Sequence, residues 1–347
     1  MSNLKKIIIF LIVSFKLLLY IINSTISNNS LLIVMYILLI FGLSLPFILK
    51  IKFTKESFIK IILILLTTFI MFFLYKEDNI FLYSLLGLIL INEDNNDIIK
   101  VIFSSLLFMF ISTLLLGFIG ILPNTDVIRN VDSAIQIRYS LGFANANAPF
   151  AYFIPIVLSG IYLYKKNKLF NFIMLLISFF IYYYTKCRTG FYLVILIIIF
   201  NMLNIKNILK KGNIVFTLFF TISILLALLF GTTKYNFVNE LLSYRPWYSY
   251  EFLKEGISIW GMGIPKNIIL DNLYLRLLAN YSIFGVIIYY YIYNKGSKLC
   301  VKDNMLIFAL FFFSLYNIFE AMTIGNFVII IFLKEIFNSF GVVYEKD

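Results

Sequence analysis

Hydrophobic runs dominate the chain and are broken at short intervals by polar clusters. Apolar stretches of spanning or near-spanning length occur near 7–22, 31–49, 57–75, 79–92, 100–122, 149–164, 169–184, 189–203, 214–230, 273–293, 304–319 and 325–340. A lipid core about 30 Å thick needs roughly 20 helical residues to cross it, so each run reads as a transmembrane helix. The pattern predicts an all-α polytopic membrane protein with about 12 transmembrane helices. Several runs are short of that length, and 79–92 is the weakest.

The polar breaks fix the sidedness. Lysines cluster at Lys5/Lys6, Lys50/Lys52/Lys55, Lys165/Lys166/Lys168, Lys206/Lys210/Lys211 and Lys295/Lys298/Lys302. These loops alternate with the others and are cytoplasmic by the positive-inside rule, which places both termini in the cytoplasm. Removing the span at 79–92 would move the three later clusters outside, so it is retained. The break Glu93-Asp94-Asn95-Asn96-Asp97 is cytoplasmic but acidic, and carboxylates count little in this rule. Two outer loops are long, at 123–148 and 231–272. Residues 1–347 thus read as a single transmembrane domain. The start, Lys5-Lys6 before an apolar run, reads as an uncleaved first span.

Composition agrees. The mean hydropathy is +0.96, and 62% of residues are hydrophobic against 13% charged, about half the charge of soluble proteins. The net charge of +12 follows from the cytoplasmic lysines, so no nucleic-acid partner is expected. The chain has no histidine, which excludes histidine-ligated zinc and histidine bases. Cys187 and Cys300 fall on opposite sides and cannot pair.

Arginine is distributed differently from lysine. Only Arg129, Arg138, Arg188, Arg245 and Arg276 occur among 29 cationic residues. The first four lie in outer loops and Arg276 lies in the tenth span, near the same side. A planar guanidinium holds pairs of phosphate oxygens, which lysine does not do. The arrangement points to an outward-facing site for a phosphorylated, membrane-bound substrate.

Each outer segment carries its own chemistry. In Arg138-Tyr139-Ser140-Leu141-Gly142-Phe143-Ala144-Asn145-Ala146-Asn147, small residues and two asparagines before Pro149 predict a tight turn into the sixth span, with proline in the first helical turn. Arg138 is placed to reach a diphosphate or to anchor at the membrane surface. Thr185-Lys186-Cys187-Arg188-Thr189-Gly190 is a tight turn with two cations, and Arg188 could open a helix whose free N–H groups face an anion. Tyr182, Tyr183 and Tyr184 before it read as an interfacial belt. Around Tyr244-Arg245-Pro246-Trp247-Tyr248, Pro246 and Gly256 bracket a short helix near the interface. Its aromatics either sit at headgroup depth or form a platform for sugar rings. Asp271 is placed to cap the tenth span. Asn272, Arg276 and Asn280 share one stripe, with Arg276 roughly 7 Å below the helix start. An intramembrane arginine normally faces a polar cavity and a partner, or snorkels outward. Lys16 reads as structural, and Glu320 as a polar partner near the outer end of the eleventh span.

Three motifs appear in order: Arg138 through Asn147, then Arg188-Thr189-Gly190, then Gly261-x-Gly263 leading to Asp271-Asn272-x-Tyr274-Leu275 with Gly285 beyond. Together they resemble the O-antigen ligase/polymerase superfamily, and more closely the Wzy-type polymerases of Gram-positive capsule and exopolysaccharide clusters. The resemblance covers about 130–290 and the topology. It implies a glycosyltransferase that joins undecaprenyl-diphosphate-linked oligosaccharides on the outer face of the cytoplasmic membrane, without nucleotide sugar or metal. A flippase and a chain-length regulator would be pathway partners.

The related ligases carry a histidine where this chain has Asp271, a departure that favours a polymerase. On this reading Arg188, Arg276 and Asp271 are catalytic, with Asp271, Glu251 or Glu255 as proton acceptor. Arg138, Arg245, Asn145, Asn147, Asn272, Tyr274 and Glu251 bind substrate. A glycan ligase and a lipid-linked oligosaccharide flippase are the alternatives. A flippase should show repeat symmetry and cations along a central path, whereas these cations crowd one face.

Overall fold

The computed structural model describes residues 3, 5–14, 51–75, 79–122, 124, 126–131, 134–205, 211–256, 263–264, 268, 270–320, 326–341 and 343–344. The predicted span at 31–49, Lys16 and Gly261 lie outside the described residues. Residues 5–14 are largely helical. The bundle then runs α1 (Lys55–Tyr75), α2 (Asn79–Ile89), α3 (Asn95–Phe118), α4 (Ala148–Tyr164), α5 (Lys168–Thr185), α6 (Arg188–Met202) and α7 (Gly212–Phe230). Two short helices follow, α8 (Asn236–Leu241) and α9 (Arg245–Lys254). Helices α10 (Leu273–Leu299), α11 (Asn304–Tyr316) and α12 (Phe327–Asn338) complete it.

The protein is mostly helical, and α3, α5, α7 and α10 are long and apolar enough to cross a membrane. Strand is confined, among the described residues, to two small antiparallel pairs. β1 (Ile51–Lys52) pairs with β4 (Val343–Tyr344). β2 (Asp126–Val131) pairs with β3 (Ala134–Tyr139) as a hairpin inside the 123–148 loop.

Polar contacts bring alternate helix termini to a common end. Tyr162 near the close of α4 donates to Asp303 at the start of α11, 2.6 Å. Asn201 near the close of α6 donates to the Lys165 carbonyl, 2.9 Å, and Gly212 at the start of α7 donates to Ser297 near the close of α10, 2.9 Å. Lys5, Lys165 and Lys302 sit at this end, so the helices reverse direction as the lysine clusters predict.

The acidic break at 93–97 has a structural reason. Lys5 pairs with Glu93 at 2.7 Å, and Lys334 of α12 donates to the Glu93 carbonyl at 2.8 Å and to Asn95 at 2.6 Å. Lys334 is 2% exposed. A buried ammonium needs oxygen partners, and the acidic segment supplies them.

Burial explains the shortest apolar helices. Residues 80–91, in and just beyond α2, are all buried, and α12 is buried along almost its whole length. A helix apolar on every side belongs in the interior. There its ends can sit at membrane depth, because protein rather than lipid surrounds them. Helix α5 shows the complementary pattern. Asn171, Ser178 and Thr185 are buried, while Phe172, Leu176, Phe179 and Tyr183 are exposed. Polar inside and apolar outside suits a helix facing lipid.

Helix α10 is interrupted at Ser282, which has φ 61° and ψ −162°. The Gly263 N–H reaches in to the Ala279 carbonyl, 3.0 Å. The segment holding Arg276 and Asn280 is therefore set apart from the rest of the helix.

Replacing Lys334 with Met leaves the Glu93 and Asn95 oxygens without their buried donor. The expected loss is about 1–3 kcal/mol of stability, read as a lower thermal midpoint in detergent; an unchanged midpoint would show that the contact is dispensable.

Candidate functional site

Opposite the lysine-rich end, the loops and helix starts converge on a polar pocket of about 230 Å³. Four structural units supply its walls: Arg138 of β3 with Asn147 before α4, Lys186 through Thr189 at the α5–α6 turn, Ser243 through Arg245 with Tyr248 around α9, and Asp271 before α10. Three of the five arginines thus meet in space, although more than 100 residues separate the first from the last.

Contacts to Thr185 and Asn147 orient Arg138. Its Nε donates to the Thr185 carbonyl at 2.8 Å, and Nη2 donates to Asn147 Oδ1 at 2.7 Å. Asn147 is itself fixed, because Asn145 Oδ1 accepts from the backbone N–H groups of Asn147 and Ala148 at 2.9 and 3.0 Å. Asn145 is therefore a turn residue, as asparagine often is, and it lies outside the pocket lining. Pro149 stands in the first turn of α4, where its missing N–H leaves no hydrogen bond unmade.

Arg188 begins α6, and its side chain is exposed to the pocket. Close packing sets the position of this helix start. A Cβ on Gly190 would lie 2.3 Å from Phe150 Cβ, so only glycine lets α6 approach α4 this closely. Lys186, in the left-handed conformation that ends α5, lies 4.7 Å from the Tyr183 ring centroid. Such cation–π contacts hold an ammonium over a ring face.

Arg245 opens α9, just ahead of Pro246 in the first turn. Its guanidinium is 12% exposed and pairs with two carboxylates: Asp271 at 3.5 Å and Glu320, which it contacts directly. Asp271 is 35% exposed and Glu320 13%. Glu320 lies in the turn beyond α11. Burial there pushes its carboxyl up, and Arg245 opposes the shift. Cys187, in the same cluster, has its thiol pushed up to about 11 by burial, with the Glu320 charge acting in the same direction. A thiol so raised stays protonated at neutral pH and is a poor nucleophile.

The pocket shares Arg188, Thr189 and Arg245 with an apolar groove of about 370 Å³. Its walls are Tyr192, Leu193 and Leu196 of α6, Leu242 beside α8, and Leu315, Tyr316 and Phe319 along and just past α11. Arg188, Tyr192 and Leu196 recur every fourth residue and so lie along one face of α6. The groove follows that face for about 12 Å at 1.5 Å per residue.

Other expected residues take different positions. The cap of α10 is Asn272 rather than Asp271: its Oδ1 accepts from the N–H groups of Tyr274 and Leu275 at 2.9 and 3.2 Å. Asp271, one residue too early to cap, is drawn to Arg245 instead. Tyr274 is fully buried and donates to the Ser314 carbonyl at 3.2 Å. Arg276 lies on the first turn of α10, outside the pocket lining. Glu251 accepts from Lys254 at 2.8 Å on α9, also away from the pocket. Arg129 lies on β2, opposite Gln136 in the register.

The cations Arg138, Lys186, Arg188 and Arg245 face the carboxylates Asp271 and Glu320. Among the described residues no group of acidic or sulfur side chains is arranged to hold a metal ion.

Asn272→Ala should lower stability by about 1 kcal/mol, read as a lower thermal midpoint in detergent; an unchanged midpoint would remove the capping role from Asn272. Comparison with protein-family models, with curated proteins and with solved structures finds no match.

Proposed function

We propose that this protein is a polysaccharide polymerase of the multi-pass cytoplasmic membrane. On this reading the bundle crosses about 12 times with both termini inside, and the arginine pocket opens outward. The substrates are undecaprenyl-diphosphate-linked oligosaccharide repeat units of a capsule or exopolysaccharide pathway. The observation that carries the proposal is the pairing of a pocket lined by Arg138, Arg188 and Arg245 with an apolar groove sharing two of them. A diphosphate joined to a long hydrocarbon chain requires both surfaces at once.

The chemistry follows from the charges. One lipid diphosphate carries the growing glycan and the other a single repeat unit. A sugar hydroxyl of the incoming unit attacks the anomeric carbon of the growing glycan. The bond from that carbon to the diphosphate breaks, and the lipid diphosphate leaves with its charge held by Arg138, Arg188 and Arg245. Fixed cations at the leaving group lower the barrier because they need no reorganisation as charge develops. Asp271 lines the pocket and is partly exposed, and on this reading its carboxylate accepts or orients the hydroxyl proton. Tyr244 and Tyr248 stand at the pocket wall as faces for sugar rings.

Reconstitution with a synthetic lipid-diphosphate repeat unit and no nucleotide sugar tests the proposal. The expected product is a ladder of repeat-unit multiples. Arg188→Ala and Arg245→Ala should each lower turnover about 10²–10³-fold, and Arg276→Ala by less. No ladder, with transfer of the glycan to a different acceptor or passage of the intact unit across the bilayer, would replace the polymerase with a ligase or a flippase.

A further inference from the structure

Arg245 lines the polar pocket, the apolar groove and a small cavity of about 20 Å³ bounded by Ser223, Ser249 and Asn272. With Arg188 it is one of two cations at which a charged head and a hydrocarbon tail would meet. Its guanidinium is already engaged by Asp271 and Glu320. An incoming phosphate has to share or replace at least one of these carboxylates, and the two differ in what they can do when displaced. Asp271 is 35% exposed and can turn to water, whereas Glu320 is 13% exposed.

We infer that Glu320 is a positioning residue that holds Arg245 in the empty site and yields it to the anionic substrate, so that substrate binding is coupled to protonation of Glu320. The inference rests on the reading of the pocket as a site for a lipid diphosphate.

The surroundings of Glu320 support this. Arg245 comes from α9, Asp271 from the segment before α10, Arg138 from β3, Cys187 from the α5–α6 turn and Tyr316 from α11. Arg245 and Arg138 favour the ionised carboxylate, while burial and Asp271 favour the neutral acid. Burial outweighs the two arginines and puts Glu320 at about 7, far above the usual carboxylate range. Phosphate oxygens on Arg245 remove its largest stabilising partner and add negative charge nearby, so protonation becomes easier still in the bound state.

The sign follows from linkage. A group whose pKa rises on binding takes up a proton, so affinity weakens as pH rises from the free-state value towards the bound-state value. Below both values Glu320 is already neutral and affinity is flat.

The test uses the full-length protein in detergent and a farnesyl diphosphate diester of N-acetylglucosamine, whose own charge is constant near neutrality. Binding is followed by calorimetry between about pH 6 and pH 8.5, in buffers of different ionisation enthalpy, so that proton uptake is counted directly. Wild type should take up a fraction of a proton, and its affinity should fall by up to about tenfold per pH unit at the steepest. Glu320→Gln should bind more tightly than wild type at the alkaline end, without pH dependence. Glu320→Asp and Asp271→Asn should both keep a pH-dependent profile.

No proton uptake by wild type would overturn the inference without any variant having to fold. An identical pH profile in Glu320→Gln would overturn it as well. Arg188→Ala separates this from the underlying reading: diester binding that needs Arg188 but ignores Glu320 leaves the pocket in place and removes the handover. No binding to wild type removes both.

Discussion

An ionised side chain inside a bundle of apolar helices must find a partner or reach water, because hydrocarbon gives it neither. The charged residues of this protein follow that constraint closely. At one end Lys5 and Lys334 are buried against Glu93 and Asn95, and that contact joins the first described helix, α3 and α12. At the other end Arg245 is buried against Asp271 and Glu320, and that contact joins α9, the start of α10 and the turn after α11. In the first set Lys334 also pairs with Glu335. The second set opens to a pocket that Arg138, Lys186 and Arg188 also line.

Those added cations distinguish the second cluster from the first. Arg138 is oriented by Asn147 and the Thr185 carbonyl. Arg188 is presented at a helix start whose position depends on Gly190 packing against Phe150. Cations so placed are preorganised, and a ligand need not meet the cost of gathering them. The groove along α6 adds an apolar surface next to the same arginines, which gives the site two chemically distinct halves.

Much of this was legible in the sequence. Lysine clusters gave the alternation of the helices, and the rarity of arginine marked the pocket. Two proline-led helix starts were readable because proline belongs in a first turn. The rest depended on tertiary contacts. Helices α2 and α12 are buried along almost their whole length, and only that packing shows why they are short. The cap of α10 was misassigned because Asp271 and Asn272 are both good capping residues and a one-residue shift separates them. Glu320 could be named as a polar partner, but its pairing with Arg245 spans 75 residues of chain. The spacing of Arg188, Tyr192 and Leu196 was present in the sequence, yet it acquires meaning only when α11 closes the other side of the groove.

The central claim is that a headgroup pocket and a chain groove form one site. The most direct measurement compares inorganic pyrophosphate with prenyl diphosphates of increasing tail length, titrated against wild type and Leu196→Trp. The account predicts that affinity for wild type rises with tail length. Leu196→Trp should lose that gain while binding pyrophosphate as wild type does. Equal effects of the substitution on pyrophosphate and on every prenyl diphosphate, or no effect on any of them, would show that the groove takes no part in binding and would contradict the account.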